Sequence, residues 1–368
     1  MSQFSKPEVS IIIPARNEEA CIGACLESLA AQTGVAFEII VADDGSSDRT
    51  REIAQKFAGV RVISPGPRAA GPAGKRWTGK NNAVVAGARE ASAPWLLFTD
   101  ADTVHLPGSL ARALAEAKKE HADLLSYSPE QVVETLSERA VMPVIFSALA
   151  AHYPLHRVRD QNSGVVAANG QYILVRRSAY DSVGGHAAVG TEILEDVALA
   201  RLFRNAGFRV HFRYGGDAVR ARMYRSWAQL REGWTKNLAL LFPHPERVAA
   251  SSLFQWAMAW FAIYVAASGA FTRHFIWTLA AALWLLVYRR IRTAHFSTTN
   301  NLIAIAFGLP IFAYLLLLSN RAHANGRVSW KGRDYDVRTQ YDVKDPNKQS
   351  AKARPTLERQ GFKLRAKS

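Results

Sequence analysis

Apolar residues fall into two regimes along this chain. Through residue 250, short apolar runs alternate with helix-period stripes; from Leu253 to Leu318 the chain is mostly apolar. Residues 9–13 are a continuous, β-branched run closed by Pro14, which predicts a first strand. Residues 19–31 carry Ile22, Cys25, Leu26 and Leu29 at helical spacing. Further strands are expected at 37–42, 60–63, 95–99 and 171–175, and helices at 47–57, 80–91 and from Glu195 onward. Strand and helix alternate, so the expected class is α/β, a mostly parallel sheet with covering helices, in a domain spanning 1–245.

The second regime has the dimensions of a membrane region, placed at 250–320. Residues 253–271 hold no charge and approach the ~20 residues that cross a ~30 Å hydrocarbon core. Residues 275–288 form a shorter apolar segment, and 302–318 carry Gly308-Leu309-Pro310 in their middle, which membrane helices tolerate. Two or three spans are expected. Three would put the C-terminal tail across the membrane from the first domain, whereas two would keep it on the same side. Residues 140–151 are too short to span and read equally as an interfacial or a core helix.

Charge and cysteine content refine this picture. The chain has 368 residues and a formal charge of +15, and the tail 321–368 holds 13 Lys or Arg against 5 Asp or Glu. Next to a membrane span, such a tail is drawn to anionic phospholipid headgroups by about 1 kcal/mol per basic residue. No nucleic-acid motif accompanies the charge, so nucleic acid is not an expected partner. The first eight residues lack a basic-then-apolar export signal, so the first domain is expected to be cytoplasmic. Cys21 and Cys25 make neither a disulfide framework nor a zinc set.

The candidate chemistry lies where strands end. Asp43-Asp44 follows strand 37–42, and Asp100-Ala101-Asp102 follows strand 95–99. Ligands of open α/β sheets bind beyond the carboxyl ends of strands. Four carboxylates at one rim repel each other unless a cation neutralises them, and Mg²⁺ or Mn²⁺ brought with a diphosphate suits an all-oxygen set. The loop 64–80, rich in Gly, Pro and cations, leads to Lys80 at a helix start, a position that favours phosphate. Glu195-Asp196 opens a helix, where acidic residues are also favoured by the macrodipole alone.

These segments, in this order, resemble inverting family 2 glycosyltransferases of the GT-A fold. Within that family the chain is most similar to the membrane-bound branch of carotenoid, hopanoid and ceramide glucosyltransferase-like proteins. The resemblance covers residues 9 to about 240 and, more weakly, Val328 to Tyr335. It implies a nucleotide-contacting first loop at Pro14, Arg16, Asn17 and Glu18, and a uracil contact at Asp44. It further implies a diphosphate-directed Lys80, metal and donor contacts at Asp100 and Asp102, and a catalytic base at Asp196. Glu195, Gln229 and Trp234 become possible acceptor-site residues, although the spacing around Trp234 departs by one from the family's Gln/Arg-x-x-Arg-Trp motif. The implied reaction moves a sugar from a UDP-sugar, glucose or similar, to a hydroxyl of a membrane lipid, in a multi-pass protein of a bacterial inner membrane. Transfer to a polyprenyl phosphate is the alternative, with Arg220, Arg222 and Arg225 as the added cations, as is a role in cell-envelope polysaccharide synthesis. A nucleotidyltransferase would want a glycine-rich, basic loop after strand 9–13, and none is present there.

Overall fold

The computed structural model describes residues 6–71, 76–268 and 273–336. Part of the basic loop (72–75), the end of the first apolar segment and the tail beyond 336 lie outside the described residues. The chain opens with β1 (Val9–Ala15), α1 (Ile22–Ala30), β2 (Phe37–Asp43), α2 (Thr50–Gln55), β3 (Val60–Ile63), α3 (Gly79–Glu90) and β4 (Trp95–Phe98). It continues through β5 (Thr103–His105), α4 (Ser109–Lys119), β6 (Leu124–Ser128), β7 (Glu130–Gln131), α5 (Leu136–His152) and α6 (Leu155–Arg159). Next come β8 (Ile173–Arg176), α7 (Arg177–Ser182), α8 (Gly185–Ala188), α9 (Glu195–Asn205), β9 (Val210–Tyr214), β10 (Val219–Ala221) and α10 (Trp227–Leu241). The apolar region supplies α11 (Pro245–Ser268), α12 (Arg273–Ile291), α13 (Thr298–Ile303) and α14 (Leu309–Ala324), followed by a hairpin of β11 (Arg327–Trp330) and β12 (Arg333–Asp336).

Seven strands form the main sheet in the order β3-β2-β1-β4-β8-β6-β9. The sheet is mixed: β8 runs antiparallel to both β4 and β6, and the other neighbours are parallel. Strand order reverses at β1, which has β2 on one side and β4 on the other. A crevice therefore opens at the carboxyl ends of β1, β2 and β4. Period-two alternation sends Ile11 and Ile13 to one face, with Leu26 and Leu29, and Ile12 to the other, with Val84 and Phe203. Pro14 does not end β1, because the strand continues to Ala15. Pairing with β4 stops at Ile12, so on that side no ladder bond is asked of the N–H that Pro14 lacks.

A second apolar cluster joins α5, α10, α11 and α14, with Val141, Leu230, Trp234, Leu238, Phe312 and Leu316 in its centre. Residues 140–151 are thus part of a core helix. Residues 304–308 form a π-turn seated on α5, where a Cβ on Gly308 would run into the Ala140 carbonyl. Pro310 cannot donate to the Ala306 carbonyl four residues back, and the Trp256 indole N–H fills it at 2.9 Å.

Two stretches, Pro245–Ser268 and Thr298–Ala324, are long and apolar enough to cross a membrane, with mean hydropathy 1.4 and 2.4. The expected segment at 275–288 lies in α12, which does not meet that measure among the described residues. α11 exposes Phe254, Phe261 and Tyr264, and α12 exposes Trp277, Leu285 and Leu286. The 298–324 stretch meets the sheet-bearing first domain at both ends. Just before it, His295 stacks on Tyr214 of β9 at 4.0 Å; near its end, Ser319 Oγ donates to the Thr235 carbonyl of α10 at 2.7 Å.

Candidate active site

Thr78 caps α3, its hydroxyl accepting the Asn81 N–H at 3.1 Å, and this sets Lys80 in the first turn, facing the end of β4. Lys80 Nζ lies 2.8 Å from Asp100 Oδ1 and 2.9 Å from Glu195 Oε1. One ammonium therefore joins the Asp-x-Asp segment to the head of α9. Burial works against a charged Lys80, but Asp100 and Glu195 outweigh it and hold the ammonium well above its usual range. Burial also pushes the Glu195 carboxyl up; Lys80 overcomes this and keeps it below the ordinary value.

Asp196 makes no such ion pair among the described residues. Burial, followed by repulsion from Glu195, pushes its carboxyl up to about 6. Its oxygens accept the Gly170 and Val197 N–H groups, each at 2.8 Å, which fix the side chain through neutral donors. Gly170 sits over this trio: a Cβ there would stand 3.0 Å from Lys80 Nζ and 3.4 Å from Glu195 Oε1. Neighbouring environments thus separate two adjacent carboxylates, one locked as an ion pair and the other poised to take a proton.

Asp102 is held by Gln171, whose amide Nε2 lies 3.4 Å from both carboxylate oxygens. Burial, then Asp100 and Glu18, raise its carboxyl to about 7. The turn between β4 and β5 is fixed by Thr103, whose hydroxyl donates to the Asp100 carbonyl at 2.7 Å. Behind it, Thr99 Oγ1 donates to the Gln171 carbonyl at 2.8 Å, anchoring the approach to β8.

The first loop meets the end of β2. Arg16 Nη1 donates to the carbonyls of Asp44 and Gly45 at 2.8 and 3.2 Å. Asn17 adopts φ 53°, a left-handed conformation that Asn tolerates, and its side-chain oxygen accepts the Ser47 N–H at 2.9 Å. The Glu18 N–H donates to Thr50 Oγ1 at 2.7 Å. Pro14 lines a small cavity together with Lys80, Asp100, Gly170 and Glu195. Of the first acidic pair, Asp43 is occupied structurally, accepting the Ser46 N–H at 3.3 Å and pairing with Arg51 at 3.5 Å. Asp44 and Glu18 are paired with Arg333 and Lys331 of the C-terminal hairpin.

Pro14, Lys80, Asp100 and Glu195 therefore converge, with Asp196 and Asp102 on their flanks. Gln229 and Trp234 are engaged elsewhere. Gln229 Oε1 accepts the Arg225 N–H at 2.8 Å at the start of α10. Trp234 is buried in the helical cluster, its indole N–H directed to Met142 Sδ at 3.4 Å. Arg220 and Arg222 are neutralised by Glu130 and Glu134 at 2.7 and 2.6 Å, which leaves them poor candidates for a phosphate-bearing acceptor. Sequence reasoning gave no site role to Gly170, Gln171, Lys331 or Arg333, although the resemblance extends weakly over the last two. The Lys331-Gly332 step between alternating Val328, Trp330 and Arg333, Tyr335 is a hairpin signal that would have drawn attention to the last two.

The chain is similar to several known proteins. Residues 10–184 match the family described as Glycosyl transferase family 2. Over 347 residues the chain is 27% identical to 4,4'-diaponeurosporenoate glycosyltransferase of Staphylococcus aureus (strain USA300), covering 91% of this chain and 90% of the relative. Among solved structures, a Pyrobaculum calidifontis mannosyltransferase in complex with GDP-Man and Mn²⁺ is 15% identical over 86% of this chain and 87% of its own, with a TM-score of 0.46. Staphylococcus aureus TarS in complex with UDP-GlcNAc is 18% identical over 89% and 95%, with a TM-score of 0.40. With a mixed sheet and a match to glycosyl transferase family 2 over residues 10–184, the chain is a glycosyltransferase.

Proposed function

We propose that the enzyme transfers a sugar, glucose or similar, from a UDP-sugar to a hydroxyl of a membrane lipid, with inversion at the anomeric carbon. The observation that carries this reading is Lys80, whose ammonium joins Asp100 to Glu195. It sets the donor-side acids and the proton-accepting Asp196 around one crevice. Asp196 takes the proton of the acceptor hydroxyl as that oxygen attacks the anomeric carbon, and the nucleoside diphosphate departs from the opposite side. Lys80 faces the departing diphosphate and neutralises its growing charge.

Asp102 and Asp100 are suited to a divalent cation. Asp102 is half-buried, its carboxyl is pushed up by burial and then by Asp100 and Glu18, and its side-chain hydrogen bonds among the described residues are the long ones from Gln171, so a cation would relieve it. Mg²⁺ and Mn²⁺ are commonly held by one or two carboxylates plus substrate phosphates, which Asp100 and Asp102 could supply on the protein side. Bound there, such an ion supplies Lewis-acid stabilisation of the diphosphate leaving group.

A lipid acceptor is supported by the relative named for 4,4'-diaponeurosporenoate and by the exposed aromatic residues of α11 and α12. Exposing a lipid tail to water costs about 0.8 kcal/mol per CH₂, so the acceptor stays in the bilayer and the crevice must come to it. We place α11 and α12 in the membrane, with the cytoplasmic catalytic domain and the hairpin on one side. Anionic headgroups on that face would attract the basic charge of residues 321–368.

Membranes containing the protein, incubated with labelled UDP- and GDP-sugars and then extracted for lipid, should carry label from a UDP-sugar in the organic phase. Label confined to water-soluble products would remove the lipid acceptor, and label from GDP-sugars alone would remove the UDP donor. Asp44→Ala tests the base contact: losing a hydrogen bond to a charged group costs about 1.5–3 kcal/mol, so UDP affinity should fall roughly 10- to 100-fold in calorimetry. Unchanged affinity would exclude Asp44 from the site.

A further inference from the structure

The β11–β12 hairpin follows the first loop by about three hundred residues in sequence, yet its two basic residues end on that loop's acids. Lys331 and Gly332 form its turn with φ 47° and 71°, the left-handed pair that a two-residue hairpin turn requires. The turn puts Lys331 at the tip. Its ammonium pairs with Glu18 and donates to the Arg16 carbonyl at 3.2 Å, while its N–H reaches Glu232 Oε1 of α10 at 3.1 Å. Arg333 pairs with the Asp44 carboxylate through Nη1 and donates to the Asp44 carbonyl through Nη2 at 3.3 Å. Gly79 leaves room for this pair, since a Cβ there would run into both Arg333 Nη1 and Asp44 Oδ2. A third anchor is Trp330, whose ring carries the Lys236 ammonium at 4.9 Å.

We propose that this hairpin covers the donor site, with Arg333 as the positioning residue that fixes Asp44 for the nucleobase and Lys331 as a cation directed at the diphosphate. The inference rests on the UDP-sugar reading and deepens it. Arg333 engages Asp44 Oδ2, which leaves Oδ1 to accept the imide N–H of a uracil. Lys331 has three rotatable donors, and its ammonium already stands against the first loop, on the Arg16 carbonyl and Glu18. It can therefore turn from Glu18 to diphosphate oxygens arriving beside Asp102. Only Asn325 and Gly326 separate the hairpin from α14, so the cover is carried directly by the apolar helices.

The test uses the full chain in detergent, with UDP and UMP as probes. Arg333→Ala should weaken both nucleotides roughly 10-fold, and Arg333→Lys should recover part of the loss. Lys331→Ala should weaken UDP about 10-fold more than UMP, because the second phosphate is its target. In both variants donor KM should rise far more than kcat falls. In the unsubstituted enzyme, UDP should slow amide exchange at 327–336; this readout and Arg333→Lys stand even where Arg333→Ala does not fold. Unchanged nucleotide affinities would reduce the hairpin to a structural element and overturn the proposal. Tighter UDP binding by the variants, or exchange that is unchanged or faster on adding UDP, would overturn it too, the first and last marking a plug. Failure of the unsubstituted enzyme to bind UDP would overturn the donor reading itself.

Discussion

Asp196→Asn should lower turnover by about 10²–10⁴-fold, the range typical of losing a general base, with UDP affinity little changed. Asn keeps the size of the side chain and one acceptor for the Gly170 N–H, so geometry is largely preserved while basicity is lost. The pH profile supplies an independent check. Burial and Glu195 raise the Asp196 carboxyl to about 6, and the base is active only when ionised. Rate should therefore fall about tenfold per pH unit below 6 and level off above it. Stability has the opposite sign: a carboxyl raised above its unfolded value favours the fold while protonated, and this contribution is lost as pH rises through about 6. At pH 8 the Asn variant should thus melt no lower than the unsubstituted enzyme. Near-normal turnover in Asp196→Asn would leave the residue as an acidic helix opening and nothing more.

Chelation is the second large effect. EDTA should abolish transfer and Mn²⁺ or Mg²⁺ should restore it, because Lewis-acid stabilisation of a leaving diphosphate is worth several kcal/mol, roughly 10³-fold or more in rate. Asp102→Ala should lower transfer comparably and resist rescue at ordinary metal concentrations. Lys80 sharpens the test. It already neutralises Asp100 and Glu195, so an enzyme able to rely on that ammonium alone would keep full activity in chelator. That result would refute the cation requirement and leave Lys80 as the principal electrostatic partner of the leaving group.

Much of the catalytic domain was legible in the chain because its signals are local. The strand at 60–63 lies where the β-branched run put it, and strand 95–99 ends in the acids of the crevice. Other boundaries moved for local reasons: α1 begins at Ile22, because residues 18–21 form a turn whose Glu18 carbonyl accepts the Cys21 and Ile22 N–H groups. What the sequence could not reveal were partners brought from afar. Gln171 was read as the start of a strand, yet its amide faces Asp102 across 69 residues. Trp234 carried a motif-like signal, but the indole that suggested an acceptor wall is consumed by the helical core. A related limit applies to the apolar segments. Composition reports how apolar a helix is, and Thr298–Ala324 combines a mean hydropathy of 2.4 with contacts to the catalytic domain at both ends.

The cluster shared by α5, α10, α11 and α14 bears on how such an enzyme can be taken apart or recombined. Cutting the chain after α10 would strip α5 and α10 of the surface that buries Val141, Trp234 and Leu238, so a trimmed catalytic piece would precipitate instead of dissolving. For the same reason, exchanging the apolar segments with those of another enzyme to change acceptor preference would fail unless the seat of Gly308 on Ala140 and the Trp256 bond to Ala306 travelled with them. Selection and engineering alike must treat the anchor and the catalyst as one heritable unit.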